Sequence, residues 1–290
     1  MRRSNVLLVA AAVALLALTG ASPGLAAPGD KSPKPQVTRY VALGDSYTAA
    51  PLVPTVIVAK GCYQSTNNYP HQVARALKVA DFVDASCSGA QTKDMTTSQL
   101  PGVAPQLDAV TKDTDLVTLS IGGNDFDVFG TLVGLCPTLK PTKPNDAPCR
   151  DLMRSQGQDQ LFADLAKTKD LVTTVIEEVK VRAPRAQIIV VGYPQILPRQ
   201  GTCPALMPLA RGDYRYGNQV NQRLTLALRQ AAAQQHVGYA DVWKASQGHD
   251  VCSTDPWING QFTDVTRAQA FHPFLIEQTA VAGLVVKAVR

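Results

Sequence analysis

A chain of 290 residues with 28 Lys and Arg against 23 Asp and Glu carries a formal charge of only +5. So small a surplus, with no dense basic cluster, argues against a nucleic-acid binder; Lys180, Arg182 and Arg185 read as a solvated helix end. Aromatic residues make up 6% of the chain, too few to suggest an aromatic platform for sugar rings.

In chain order, Arg2 and Arg3 precede an almost unbroken apolar run over residues 6–18, followed by small residues ending in Gly24-Leu25-Ala26-Ala27. A basic start, a short apolar run and a small-residue end predict a signal peptide over 1–27 and a secreted mature chain. As a membrane anchor the run is short, since a span needs about 20 apolar residues. No later segment is long and apolar enough to cross a bilayer. Removing residues 1–27 from 290 leaves 263, and losing Arg2 and Arg3 lowers the charge from +5 to +3. That length suits one sizeable core. Residues 28–37 read as a flexible lead-in, and 38–290 as one domain.

Strand-like apolar runs recur at 39–43, 81–85, 116–121, 187–191 and 237–242. Between them, apolar spacing of three and four predicts helices at 69–79, 160–181, 216–235 and 274–289. Alternating strands and helices predict an α/β fold: a three-layer α/β/α sandwich around a parallel sheet of about five strands. Strands buried on both faces explain why these runs are continuously apolar.

The six cysteines, Cys62, Cys87, Cys136, Cys149, Cys203 and Cys252, form an even set in an exported chain and so read as disulfides. None has the C-x-x-C spacing of a zinc or redox motif. Residues 137–148 are rich in Pro, Lys and Thr and have little core to hold them, so a Cys136–Cys149 bridge closing that loop is expected. From spacing alone the other pairings stay open.

Four segments carry chemistry. Gly44-Asp45-Ser46-Tyr47 puts a serine just past the end of a strand, where ligands sit in open α/β sheets. There a helix N-terminus can favour negative charge. Taken alone this is also ordinary turn chemistry, and Thr48 rules out a G-x-S-x-G elbow. Cys87-Ser88-Gly89-Ala90 follows another strand, and its glycine lets a backbone N–H approach a ligand. Gly122-Gly123-Asn124-Asp125 places a carboxamide donor at the same edge. It begins like a calcium loop, but Phe129 and Cys136 stand where a ligand and a Glu are needed. Phe271-His272-Pro273 sets a histidine before the last helix, with Pro273 suited to its first turn. His71, His236 and His249 read as ordinary surface or core residues, and no H-E-x-x-H is present.

In this order the four segments resemble the blocks of the SGNH, or GDSL, hydrolase superfamily, from Tyr40 to the end of the chain. The resemblance is closest to its secreted actinobacterial lipase and esterase branch, which residues 248–252 and Asp255-Pro256-Trp257 also suit. It implies Ser46 as nucleophile, His272 as general base, and an oxyanion hole from the Ser46 and Gly89 N–H groups with the Asn124 side chain. It further implies the sequential disulfides 62–87, 136–149 and 203–252, with no cofactor and no metal. Many members carry Asp three residues before the histidine, where this chain has Gln269. The expectation is therefore a Ser46–His272 dyad oriented by the Gln269 backbone carbonyl, with Asp264 the weaker candidate. The implied protein is a secreted, monomeric lipase or esterase acting on acylglycerols or phospholipids, with transient contact to lipid aggregates. An acetyl esterase on polysaccharide and an inactive binding protein are the alternatives.

Overall fold

Five parallel strands form the central sheet in the computed structural model of the protein, which describes residues 36–58 and 61–289. The expected signal peptide and residues 28–35 of the lead-in lie outside the described residues. The elements are β1 (Arg39–Gly44), α1 (Ser46–Ala49), β2 (Val56–Ile57), β3 (Gln64–Ser65), α2 (Tyr69–Leu77), β4 (Asp81–Asp84) and β5 (Leu116–Ser120). There follow α3 (Val128–Gly130), α4 (Pro148–Met153), α5 (Gln160–Arg182), β6 (Gln187–Val191), α6 (Asp213–Gln234), β7 (Gly238–Ala240), α7 (Val242–Ala245) and α8 (Leu275–Ala288). The sheet runs β4-β1-β5-β6-β7, and β2 and β3 make a separate antiparallel pair.

Residue alternation explains the two covering layers. Val41, Leu43, Val117, Leu119, Ile188 and Val190 pack into one core with Val172 and Ile176 of α5 and Leu224 and Leu228 of α6. Tyr40, Ala42, Ile189 and Val191 point the other way, into a second core with Val73 of α2 and Val281 and Val285 of α8. The central strands β1, β5 and β6 are buried and need no polar side, whereas the edge strands β4 and β7 are only partly buried.

Helix ends follow local chemistry. Asn68 caps α2 by accepting the His71 N–H at 3.1 Å, and Asp159 caps α5 by accepting the Phe162 N–H at 3.2 Å. Lys180 and Arg182 close α5, where cations complement its carbonyl end. The predicted strand at 237–242 shortens to three residues because the Asp241 side chain accepts the Lys244 N–H and starts α7, taking Val242 into a helix. The last helix begins at Leu275, so Pro273 stays outside its first turn, in an isolated antiparallel bridge with Ile258. Disulfides join Cys62 to Cys87, Cys136 to Cys149 and Cys203 to Cys252. Among the described residues no helix is long and apolar enough to cross a membrane.

Candidate active site

The sheet brings three loops out at one level. Gly44 pairs with Ser120 in register, the Asp45 N–H donates to the Ser120 carbonyl at 3.1 Å, and the Cys87 N–H donates to the Gly44 carbonyl at 3.0 Å. The Gln106 carboxamide completes this junction, accepting from the Gly44 N–H at 2.8 Å and donating to its carbonyl at 2.9 Å. A β-carbon at position 44 would lie 2.7 Å from the Ser120 carbonyl, which is why glycine stands there. The strand order reverses at β1 and β5, the place where open α/β sheets open a crevice.

Ser46 is the first residue of α1, and its neighbour Asp45 caps that turn by accepting the Tyr47 N–H at 2.9 Å. The other Asp45 oxygen accepts the Tyr193 hydroxyl. That hydroxyl in turn accepts the Gly123 N–H at 3.0 Å. A buried polar chain thus ties the Gly-Asp-Ser segment to the Gly-Gly-Asn segment. Burial raises the Asp45 carboxyl to about 7 despite these bonds. Asp125 makes a matching tie to the second segment, accepting the Thr92 N–H at 2.8 Å and hydroxyl at 3.0 Å.

Asn124 donates one carboxamide hydrogen to the Ala90 carbonyl at 2.9 Å. A carboxamide nitrogen carries two hydrogens, so the second remains for a ligand while the first fixes the group. Gly89 adopts φ +80°, a conformation that strains any other residue.

His272 lies in a strap held by short antiparallel contacts. Its carbonyl accepts the Asn259 N–H at 2.9 Å, and the Phe274 N–H donates to the Trp257 carbonyl at 2.8 Å. The orienting carbonyl differs from the expectation. His272 Nδ1 sits 2.7 Å from the Ala270 oxygen, not that of Gln269. The Gln269 carbonyl is taken up within the turn, accepting the His272 N–H at 3.1 Å and Asn259 Nδ2 at 3.2 Å. Asp264 does not reach the imidazole; its carboxylate accepts the Thr266 N–H and hydroxyl. Because a carbonyl only accepts, Nδ1 carries the proton of a neutral ring and Nε2 is left as a base. Burial pushes the His272 pKa below the usual histidine value, with the Ala270 bond opposing it.

Tyr47, unassigned by the sequence, joins the Ser46 turn and the histidine strap. Its hydroxyl donates to the Phe271 carbonyl at 2.7 Å and its ring centroid lies 5.5 Å from that of His272. From below, Gln278 of α8 donates to the Tyr47 carbonyl at 3.0 Å and accepts the Tyr69 N–H at 2.7 Å. Asp45, Tyr47, Tyr193 and Gln278 were all invisible as a group. Tyr193, a polar-tipped aromatic just past a strand buried from Ile188 to Val191, is the one signal that could have been read.

Ser46, Gly89, Asn124, Gln269 and His272, drawn from four distant segments, line one cleft of about 260 Å³. Tyr47, Ser88 and Phe271 line it beside these residues, and an apolar wall comes from Phe129, Gly130 and Val133, at α3 and the π-helical turn Thr131–Leu135. A wider groove of about 1050 Å³ beside Gln195 and Trp243 contains none of these residues, so chemistry rather than size marks the candidate site. Among the described residues no three His, Cys, Asp or Glu side chains gather as a metal site. The cleft brings together the Ser46 hydroxyl, the His272 imidazole with Nδ1 held by Ala270, and the Asn124 carboxamide.

Residues 42–273 match the model of the GDSL-like lipase/acylhydrolase family. The chain is 38% identical to Lipase 2 of Streptomyces coelicolor over 234 residues, 78% of this chain and 76% of that protein. It is similar in structure to phospholipase A1 from Streptomyces albidoflavus NA297, with a TM-score of 0.67 and 28% identity over 87% of this chain and 98% of that one. The extracellular lipase from Streptomyces rimosus aligns with a TM-score of 0.68 and 27% identity, over 87% of this chain and 99% of that one.

Proposed function

Since the chain belongs to the GDSL-like lipase/acylhydrolase family and is a serine ester hydrolase of the lipase/esterase kind, we propose that Ser46 is its nucleophile and His272 its general base. One observation carries this reading. Five residues from four separated segments line a single cleft in which the Ala270 carbonyl fixes the imidazole tautomer.

The chemistry proceeds in two halves. Ser46 Oγ attacks the ester carbonyl carbon while its proton passes to His272 Nε2. The carbonyl oxygen becomes an oxyanion held by the Ser46 and Gly89 N–H groups and Asn124 Nδ2. Collapse breaks the ester C–O bond, and His272 returns the proton to the departing alkoxide. Water, giving its proton to His272, then attacks the acyl-enzyme. Collapse of the second tetrahedral intermediate breaks the bond between Ser46 Oγ and the acyl carbon, His272 returns its proton to Ser46 Oγ, and the acid leaves.

The substrates proposed are acylglycerols or phospholipids, supported by the apolar wall of Phe129 and Val133, which suits an alkyl chain better than an acetyl group. Phe262 and Val265, 71% and 74% exposed on the strap that carries His272, support transient contact with lipid aggregates. Secretion of the mature chain is supported by the basic and apolar pattern of residues 1–27.

The deciding assay is hydrolysis of p-nitrophenyl esters of short and long acyl chains by the mature chain, Ser46→Ala and His272→Ala. Each variant is expected to lose about 10⁴-fold or more in kcat, with longer chains preferred by the wild type. Undiminished turnover by Ser46→Ala would remove it as the nucleophile, and a sharp preference for acetate would replace lipid with an acetyl ester.

A further inference from the structure

We infer that the Gln269 side chain selects the alcohol half of the ester, favouring leaving alcohols that carry further hydroxyl groups, as glycerol does. This deepens the Ser46–His272 reading and rests on it.

The walls of the cleft can be assigned by elimination. Besides Ser46 Oγ, the tetrahedral carbon bears an oxyanion, a leaving oxygen and an acyl chain. The oxyanion belongs to the donors Ser46, Gly89 and Asn124. The leaving oxygen must lie within reach of His272, which protonates it. Ser88 adjoins the Gly89 donor, and Tyr47 and Phe271 bond to each other beside His272, so the third direction, the acyl chain's, is left to the apolar wall of Phe129, Gly130 and Val133. The alcohol therefore lies along the strap of His272, where Gln269 supplies the polar side chain.

Gln269 is built for that task. Its backbone is pinned, the N–H donating to the Pro51 carbonyl at 3.2 Å and the carbonyl accepting from His272 and Asn259. Its carboxamide, by contrast, is exposed and has no hydrogen-bond partner among the described residues. With Ala270 already holding Nδ1, the side chain at this position is released from orienting the imidazole. A carboxamide offers both a donor and an acceptor, so it can pair with a hydroxyl in either sense. A plain alkyl alcohol gives it nothing.

The test compares kcat/KM for the glyceryl monoester and the ethyl ester of one medium-chain acid, in wild type, Gln269→Met and Gln269→Ala. The wild type should favour the glyceryl ester, and the glyceryl-to-ethyl ratio should fall about 3- to 10-fold in both variants, as loss of one hydrogen bond to substrate implies. A ratio unchanged in Gln269→Met, which keeps the length but not the amide, overturns the inference. So does a wild type without preference for glycerol. Ser46→Ala is assayed alongside. Its inactivity together with an unchanged ratio defeats only the role of Gln269, whereas its full activity defeats the catalytic reading beneath it.

Discussion

Tyr193 donates its phenolic hydrogen to the buried carboxylate of Asp45, 148 residues earlier in the chain, and so couples the turn before Ser46 to the loop that presents Asn124. The same hydroxyl accepts the Gly123 N–H, making one oxygen the joint between two blocks.

Removing that oxygen strands two polar groups. In Tyr193→Phe, the Gly123 N–H and one Asp45 oxygen lose their partner in a buried setting, where each unmet group costs about 1–3 kcal/mol. The variant should unfold at lower urea, and kcat should fall with it because both loops shift. A urea midpoint equal to that of the wild type would mean the joint is dispensable.

Asn124→Ala removes the side-chain donor proposed for the oxyanion but leaves Ser46 and His272 in place. Loss of one such donor lowers kcat by about 10²–10³-fold with little change in KM. Steady-state kinetics on a p-nitrophenyl ester read this directly, and a change confined to KM would assign Asn124 to ground-state binding instead.

The depressed pKa of His272 has a signed consequence. A base that resists protonation stays active to lower pH, so the acid limb of kcat/KM should have its midpoint below about 6.5, the ordinary histidine value. Asp264→Ala should leave that midpoint and kcat almost unchanged, because its carboxylate is committed to Thr266. A drop near 10³-fold in kcat would make Asp264 the orienting acid after all.

Glu277, buried at the start of α8, does not line the cleft; burial raises its carboxyl to about 8, against a bond from Gln278 Nε2 at 2.8 Å. The folded state holds this proton more tightly than the unfolded chain does. Its contribution is therefore full below about 4.5 and declines as pH rises to about 8. In Glu277→Gln that decline is absent, so the variant should gain on the wild type between pH 5 and pH 8, by a few kcal/mol in order of magnitude. Urea midpoints at the two pH values measure it, and parallel curves would show that Glu277 is not protonated in the fold.

The sheet and its covering helices were legible because periodicity is a local property. Five apolar runs announced the strands, of which the central β1, β5 and β6 are buried and the edge strands β4 and β7 only partly so, and three- and four-residue spacing announced α5 and α6. The order of Gly-Asp-Ser, Ser-Gly-Ala, Gly-Gly-Asn and Phe-His-Pro pointed to Ser46, Gly89, Asn124 and His272, and the structure sets these residues around one cleft. What the linear chain could not decide was which carbonyl meets the imidazole. Gln269 and Ala270 are adjacent peptides, and the choice depends on how the strap turns against Asn259 and Trp257, contacts made only after folding. The same holds for Tyr193 and Gln278, whose roles are hydrogen bonds to residues more than 140 positions away. Sequence alone determined the layers, which follow from residue type and local spacing, and through the resemblance of its four segments it pointed to the candidate reactive groups. Tertiary structure decided their orientation, since a hydrogen bond between distant segments exists only where the sheet has brought both ends to the same edge.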